Sequence, residues 1–182
     1  MTILVRPSVI KVRVALKKSG LKDSVMELDE TAKTAVDAAS VLDCPVGAIV
    51  KSLVFVINRR MVMVLVAGDH QCIQDNLPSA FNIKGPVRKA NAGEVKDITG
   101  FTIGGVAPVG LSNPLPIVID RSLKRFDELF AAGGHPYAVF PISFNGLQRM
   151  TSGIVSWNIA KPDQNISSEH VPLKRSATFL KG

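Results

Sequence analysis

Two stretches of this chain set chemically useful groups against an apolar or bare backbone. The first is Ala48-Ile49-Val50-Lys51-Ser52-Leu53-Val54-Phe55, where Lys51 opens an otherwise apolar strand. An ammonium is costly to bury without a partner. Two roles fit it: the side chain snorkels at the strand end, or it meets a phosphate or carboxylate in a pocket. The second stretch is Ile103-Gly104-Gly105-Val106-Ala107-Pro108-Val109-Gly110. Glycines this close together, with a proline, specify a rigid, exposed backbone whose N–H groups a ligand can approach. Such groups hold an anion or a developing oxyanion. A purely structural turn has the same composition.

Other candidate chemistry is thinner. Asp69-His70-Gln71-Cys72 gathers potential ligands, but at a spacing that fits no familiar metal site. His70, His135 and His170 lie far apart, and a Cys–His nucleophile has no support in the spacing. Cys44 and Cys72 match no zinc or disulfide framework, which suits a reduced cytosol. Walker A, GxGxxG, HExxH and GxSxG signatures are all missing. No metal and no cofactor is therefore expected.

The elements that must position Lys51 and the glycine loop follow from the hydrophobic pattern. Ser52–Ile57 and Met61–Ala67 are nearly continuous apolar runs joined by Asn58-Arg59-Arg60, and they predict a hairpin of two buried strands at the heart of a sheet. Pro7-Ser8 to Gly20 predicts an amphipathic helix, with Ile10 and Val14 alternating with Lys11, Arg13, Lys17 and Lys18. Its basic face is either solvated or set against RNA phosphates. A short strand is expected at 25–28, and a helix at 34–42 with Ala35, Ala38, Ala39 and Leu42 on one side. Short helices are expected at 75–81 and 91–99, with a strand at 87–90 between them. The strand at 117–119 ends in Asp120. A helix is then predicted over 123–131, closed by Gly133-Gly134, followed by a strand at 137–142 and a helix capped by Ser143. Strands alternate with helices around a hairpin, so the fold class is α/β (α+β), a mixed β-sheet flanked by helices.

At 182 residues the chain suits one domain with a short appendage. The domain is read as 1–157. The polar stretch 158–182, with Lys161, Lys174, Arg175 and Lys181 against Asp163 and Glu169, is read as a mobile tail. The formal net charge of +7 favours an anionic partner such as RNA, a nucleotide or a membrane surface. No signal peptide is visible, and no apolar run approaches the ~20 residues needed to span a bilayer. A soluble, cytoplasmic protein is expected.

Taken in order, these residues resemble the YbaK/ProX family of aminoacyl-tRNA editing domains. Thr34-Ala35-Val36-Asp37-Ala38-Ala39 looks like the family's Thr-Ala-x-x-Ala-Ala helix, and 45–55 looks like its lysine-bearing strand. Val64-Leu65-Val66-Ala67-Gly68-Asp69 resembles the strand and turn that follow. Gly100-Phe101 leads into a GGxxP-type loop at Gly104–Pro108, and Ile119-Asp120, Ala132-Gly133-Gly134 and Leu147 resemble later elements. The resemblance covers roughly residues 8 to 155 and agrees with the mixed sheet read above.

The resemblance implies a hydrolase of the ester between an amino acid and the terminal adenosine of tRNA. Lacking a synthetase portion, the chain looks like a free-standing member. Its implied substrate is mischarged tRNA, most naturally tRNA(Pro) carrying Ala, Cys or Ser, with prolyl-tRNA synthetase as a further partner. Lys51 would hold the terminal phosphate or ribose, and the N–H groups of Gly104 and Gly105 would stabilise the oxyanion, stiffened by Pro108. Ser52, Met26 and Leu28 would line the amino-acid pocket. Asp120 would engage the ribose or the amino group, or else cap the following helix. His135 would reach the site or serve structure. Two other functions stay open: an inactive module that holds the tRNA acceptor end, and a hydrolase of another small ester.

Overall fold

The computed structural model of the chain describes residues 2–28 and 34–166. A 3-10 turn at Ile3–Val5 leads into helix α1 (Pro7–Lys18), whose proline sits in the first turn, where its missing N–H costs nothing. The short strand β1 (Met26–Glu27) and helix α2 (Ala35–Leu42) come next. Thr34 accepts from the Asp37 N–H and the Asp37 carboxylate accepts from the Thr34 N–H, a reciprocal cap that fixes the start of α2. The central hairpin is β2 (Ile49–Ile57) and β3 (Arg60–Ala67), paired from Val50↔Ala67 to Ile57↔Arg60. Its two-residue turn puts both Asn58 (φ 44°) and Arg59 (φ 70°) in the left-handed region, which matches the twist of the flanking strands.

The remaining elements are β4 (His70–Cys72), α3 (Leu77–Phe81), β5 (Val87–Lys89), α4 (Ala92–Thr99), β6 (Ile117–Asp120), β7 (Leu129–Ala132), β8 (Ala138–Ile142), α5 (Phe144–Thr151), β9 (Ile154–Ser156) and β10 (Ala160–Pro162). The main sheet runs β1-β8-β7-β2-β3-β6-β9, and β5 also pairs with β2. It is mixed: β2 lies antiparallel to β3 and β5 but parallel to β7, and β3 lies parallel to β6. From Val62 to Ala67, β3 has no exposed surface. Each large side chain there contributes roughly 1.5–3 kcal/mol through burial. One face of the sheet packs Val50, Val54, Met63 and Leu65 against α1, α4 and α5. The other face carries Ile49 and Phe130 beneath α2, and Phe55 and Val64 beside α3.

Three sequence expectations are corrected. The segment 123–131 is not a helix. A single 3-10 turn at Arg121–Arg125 gives way to strand β7, which is hydrogen-bonded between β8 and β2. Its apolar spacing fits either state, and the two waiting strand edges decide it. Helix α1 docks through Val9, Val12 and Leu16, while Ile10 and Val14 are each 43% exposed. The first set makes a regular stripe one turn apart, and the second lies round the cylinder from it. Beyond Trp157 the packing continues: Ile159 is fully buried, and β10 pairs with β4 in a two-stranded sheet. The boundary read at 157 therefore falls within packed structure, while 167–182 lie outside the described residues.

Candidate active site at an interrupted sheet edge

One edge of β2 is paired with β3 without a break from Val50 to Ile57, but the other edge is interrupted. There β7 covers only Ile49 and Val50, and β5 covers only Phe55 to Ile57. The N–H of Ala90 donates to the Val54 carbonyl at 3.0 Å, so Val54 points its backbone at this second edge. Strand residues alternate, so the N–H and C=O of Ser52, two residues earlier, point the same way. Among the described residues no strand adjoins them there.

A cavity of about 390 Å3 occupies this gap. It falls within the roughly 300–1,000 Å3 of small-molecule sites. Residues from both sheet faces line it, among them Leu28 and Ala38 from one and Val54 and Val106 from the other. The gap therefore forms a slot through the sheet rather than a dish on it.

Four of the residues singled out in the sequence meet at this cavity: Lys51, Ser52, Leu28 and Gly104. Lys51 is partly buried, and its Nζ donates to the carbonyl oxygen of His70. Burial lowers the Lys51 pKa, against the opposing pull of Asp163, Asp69 and Cys72. An ammonium has three donors, so two remain for a ligand. The Ser52 Oγ is buried and has no hydrogen-bond partner among the described residues. Gly104 has φ +92°, a conformation that favours glycine.

The other residues singled out lie elsewhere. Gly105 is buried, and its N–H donates to the Thr102 carbonyl at 3.0 Å, so it is not free for an oxyanion. A Cβ on Gly105 would lie 2.7 Å from the His135 backbone, and that close approach accounts for the second glycine. Pro108 is buried away from the cavity lining. Met26 packs in the apolar cluster under α2. The His135 ring meets that of Tyr137 at a tilt of 55° with centroids 5.6 Å apart, and its Nδ1 accepts from the Tyr137 N–H at 3.2 Å. Asp120, 3% exposed, accepts from the N–H and hydroxyl of Ser122 at the start of the 3-10 turn.

Sequence reasoning gave no site role to Lys89, Thr34, Ile103 or Pro136, which also line the cavity. Lys89 sits in a strand that the sequence predicts, but only the pairing Phe55↔Lys89 carries it to the mouth. Among the described residues no carboxylate or imidazole lines the cavity. The cysteines are no substitute. Burial, reinforced by Asp120, pushes the Cys72 thiol up to about 11, and burial does the same to Cys44. Neither is a thiolate near neutrality.

The slot has a cation at one wall, a glycine at another and apolar sides. The aminoacyl-tRNA editing domain profile matches residues 29–150, and the chain belongs to that family. The uncharacterized protein YwhH of Bacillus subtilis is 30% identical over 128 residues, covering 70% of this chain and 80% of its own length. The proline–tRNA ligase of Lactobacillus acidophilus is 30% identical over 116 residues, 62% of this chain. The match spans only 20% of that ligase. A crystal structure described as a candidate trans-editing enzyme for prolyl tRNA synthetase superposes with a TM-score of 0.80 at 37% identity, covering 87% of this chain and 99% of that one. Among the described residues, no helix is long and apolar enough to cross a membrane.

Proposed function

We propose that this chain is an aminoacyl-tRNA deacylase that clears tRNA(Pro) wrongly charged with Ala, Cys or Ser, acting in trans beside prolyl-tRNA synthetase in the cytoplasm. The observation that carries the proposal is the cavity at the open edge of β2, where Lys51, Ser52 and Gly104 come together. The terminal phosphate or ribose of the tRNA takes the two spare donors of Lys51. The amino-acid side chain lies among Leu28, Val54 and Val106, with Ser52 beside it. The Ser52 backbone carbonyl is aimed to accept from the substrate's ammonium group.

Water attacks the ester carbon, and charge develops on the carbonyl oxygen; the adduct then collapses by breaking the bond between that carbon and the ribose oxygen, which leaves as a ribose hydroxyl carrying the proton that the water gives up. Gly104, with no side chain to block approach, offers its N–H to that oxygen. Gly105, Pro108 and His135 hold the loop in place, and Met26 supports the apolar wall from outside. No described carboxylate or imidazole is at hand to take the water's proton, so the ribose hydroxyl beside the ester orients the water. A substrate with hydrogen in place of that hydroxyl then hydrolyses far more slowly; an unchanged rate rules this step out. Neither a metal nor a cofactor enters the scheme.

The test is direct. The purified protein is incubated with tRNA(Pro) charged in turn with alanine, cysteine, serine and proline, and release of each amino acid is followed. Release of a small wrong amino acid with proline spared is the expected result. Binding without release from any of them assigns the chain to an inactive acceptor-end module. Release only from small free esters assigns it to a different hydrolase.

A further inference from the structure

A second cavity, of about 380 Å3, plays no part in the scheme above. His70, Asp120, Arg121, Lys124, Arg125 and Trp157 line it. The two cavities share a neighbour in His70, whose carbonyl holds the Lys51 ammonium. The acids near the second cavity are already engaged. Asp69 takes the guanidinium of Arg125 at 2.7 and 3.0 Å, and Asp120 is held by Ser122. Arg121 and Lys124 are exposed, and among the described residues neither forms an ion pair.

Trp157 is the one tryptophan of the chain, and 66% of its surface is exposed. The Arg121 guanidinium lies 3.1 Å from its ring centroid. A large aromatic held out to solvent and backed on one face by a cation is an unusual use of an apolar side chain. It is the arrangement that single-stranded nucleic acid takes: a base stacks on the ring while flanking phosphates meet the cations.

We propose that this cavity binds single-stranded RNA next to the ester-bearing end, with a base on the open face of Trp157 and phosphates at Arg121 and Lys124. The proposal rests on the deacylase reading for the identity of the RNA. A chain carrying a formal charge of +7, with two unpaired cations at this rim, suits a polyanion rather than an apolar partner.

Because Trp157 is the sole tryptophan, its emission reports this site alone. The full chain is titrated with uncharged tRNA(Pro) and with a short oligonucleotide ending in CCA, at several salt concentrations. Anisotropy of labelled RNA and deacylation of mischarged tRNA are measured in parallel. The expected result is saturable quenching, with affinity falling as salt rises. Arg121→Ala with Lys124→Ala lowers the slope of log K against log salt by about 0.7 for every phosphate left without its cation. Trp157→Ala weakens binding about tenfold, and Trp157→Phe restores most of it. If labelled RNA binds and is deacylated while Trp157 emission and the Arg121→Ala, Lys124→Ala affinity stay unchanged, the RNA site is elsewhere and the deacylase reading stands. If RNA neither binds nor is deacylated, both fall together.

Discussion

The two cavities are about equal in volume and are built in opposite ways. The first is a gap in a sheet, walled by side chains from both faces, with one partly buried cation and a glycine amide at its margin. The second is a surface hollow whose rim carries several basic side chains and an exposed aromatic ring. A walled slot discriminates by shape and incurs a desolvation cost for every charge it keeps, so it keeps few. A rim of charges in water gains little per contact and much from number and reach. The contrast amounts to a division of labour: choice and chemistry in the slot, grip at the rim.

That division is open to several tests. Lys51→Ala has the largest expected effect, a loss of about a hundredfold in kcat/KM, as removing one partner of a partly buried charge contact costs roughly 3 kcal/mol. The loss persists at high salt, whereas rim variants act mainly through KM and at low salt. If Lys51→Ala proves salt-sensitive and the rim variants do not, the assignment is reversed. Gly105→Ala comes next. Its new Cβ meets the His135 backbone at 2.7 Å, so it costs roughly 1–3 kcal/mol of folding stability, read as a lower denaturation midpoint. Wild-type stability in this variant would show that the two loops can separate freely.

Two smaller effects follow. Ser52→Ala removes a buried hydroxyl that lacks a protein partner, so the fold loses nothing or gains up to about 1 kcal/mol. Its effect falls on substrate choice, changing the ratio of seryl to alanyl release by about tenfold. A drop in stability with no change in that ratio would make Ser52 a structural residue. Asp69 tests the far side. Burial pulls its pKa up, yet hydrogen bonds from Arg125 and His70 hold it below the ordinary value of 3.8. A depressed carboxylate contributes stability above its unfolded pKa and loses it as pH falls through the folded one. Asp69→Asn should therefore melt slightly below the wild type at neutral pH, with the gap closing below pH 3.8. A gap that persists in acid would mean that the ion pair contributes nothing.

The hairpin was legible because its signal is local. Two apolar runs around Asn58-Arg59 fix strand, turn and burial together. Lys51 and Gly104 were legible because a charge in an apolar run and glycines in a row are visible anomalies. What the sequence hid is what depends on partners. Leu129–Ala132 becomes a strand because β8 and β2 leave a place for it. Ala160–Pro162 carries no strand pattern and pairs only because β4 offers an edge. Gly105 looked equivalent to Gly104 until the Thr102 carbonyl claimed its N–H. Lys89 came to the cavity through a pairing that no local pattern encodes.

The interrupted ladder of β2 also has a consequence in time. Amide hydrogens along a central strand exchange with solvent only when the structure opens widely, but among the described residues Ser52 has no strand partner on its outer side. Its amide should exchange orders of magnitude faster than those of Val50 and Val56, which pair with β7 and β5 on either side of the gap. A ligand seated in the slot would close that window. At about a hundred times its dissociation constant it would also stabilise the whole fold by about 2.7 kcal/mol. Exchange at one amide thus becomes a clock for occupancy of the slot, readable without following any reaction.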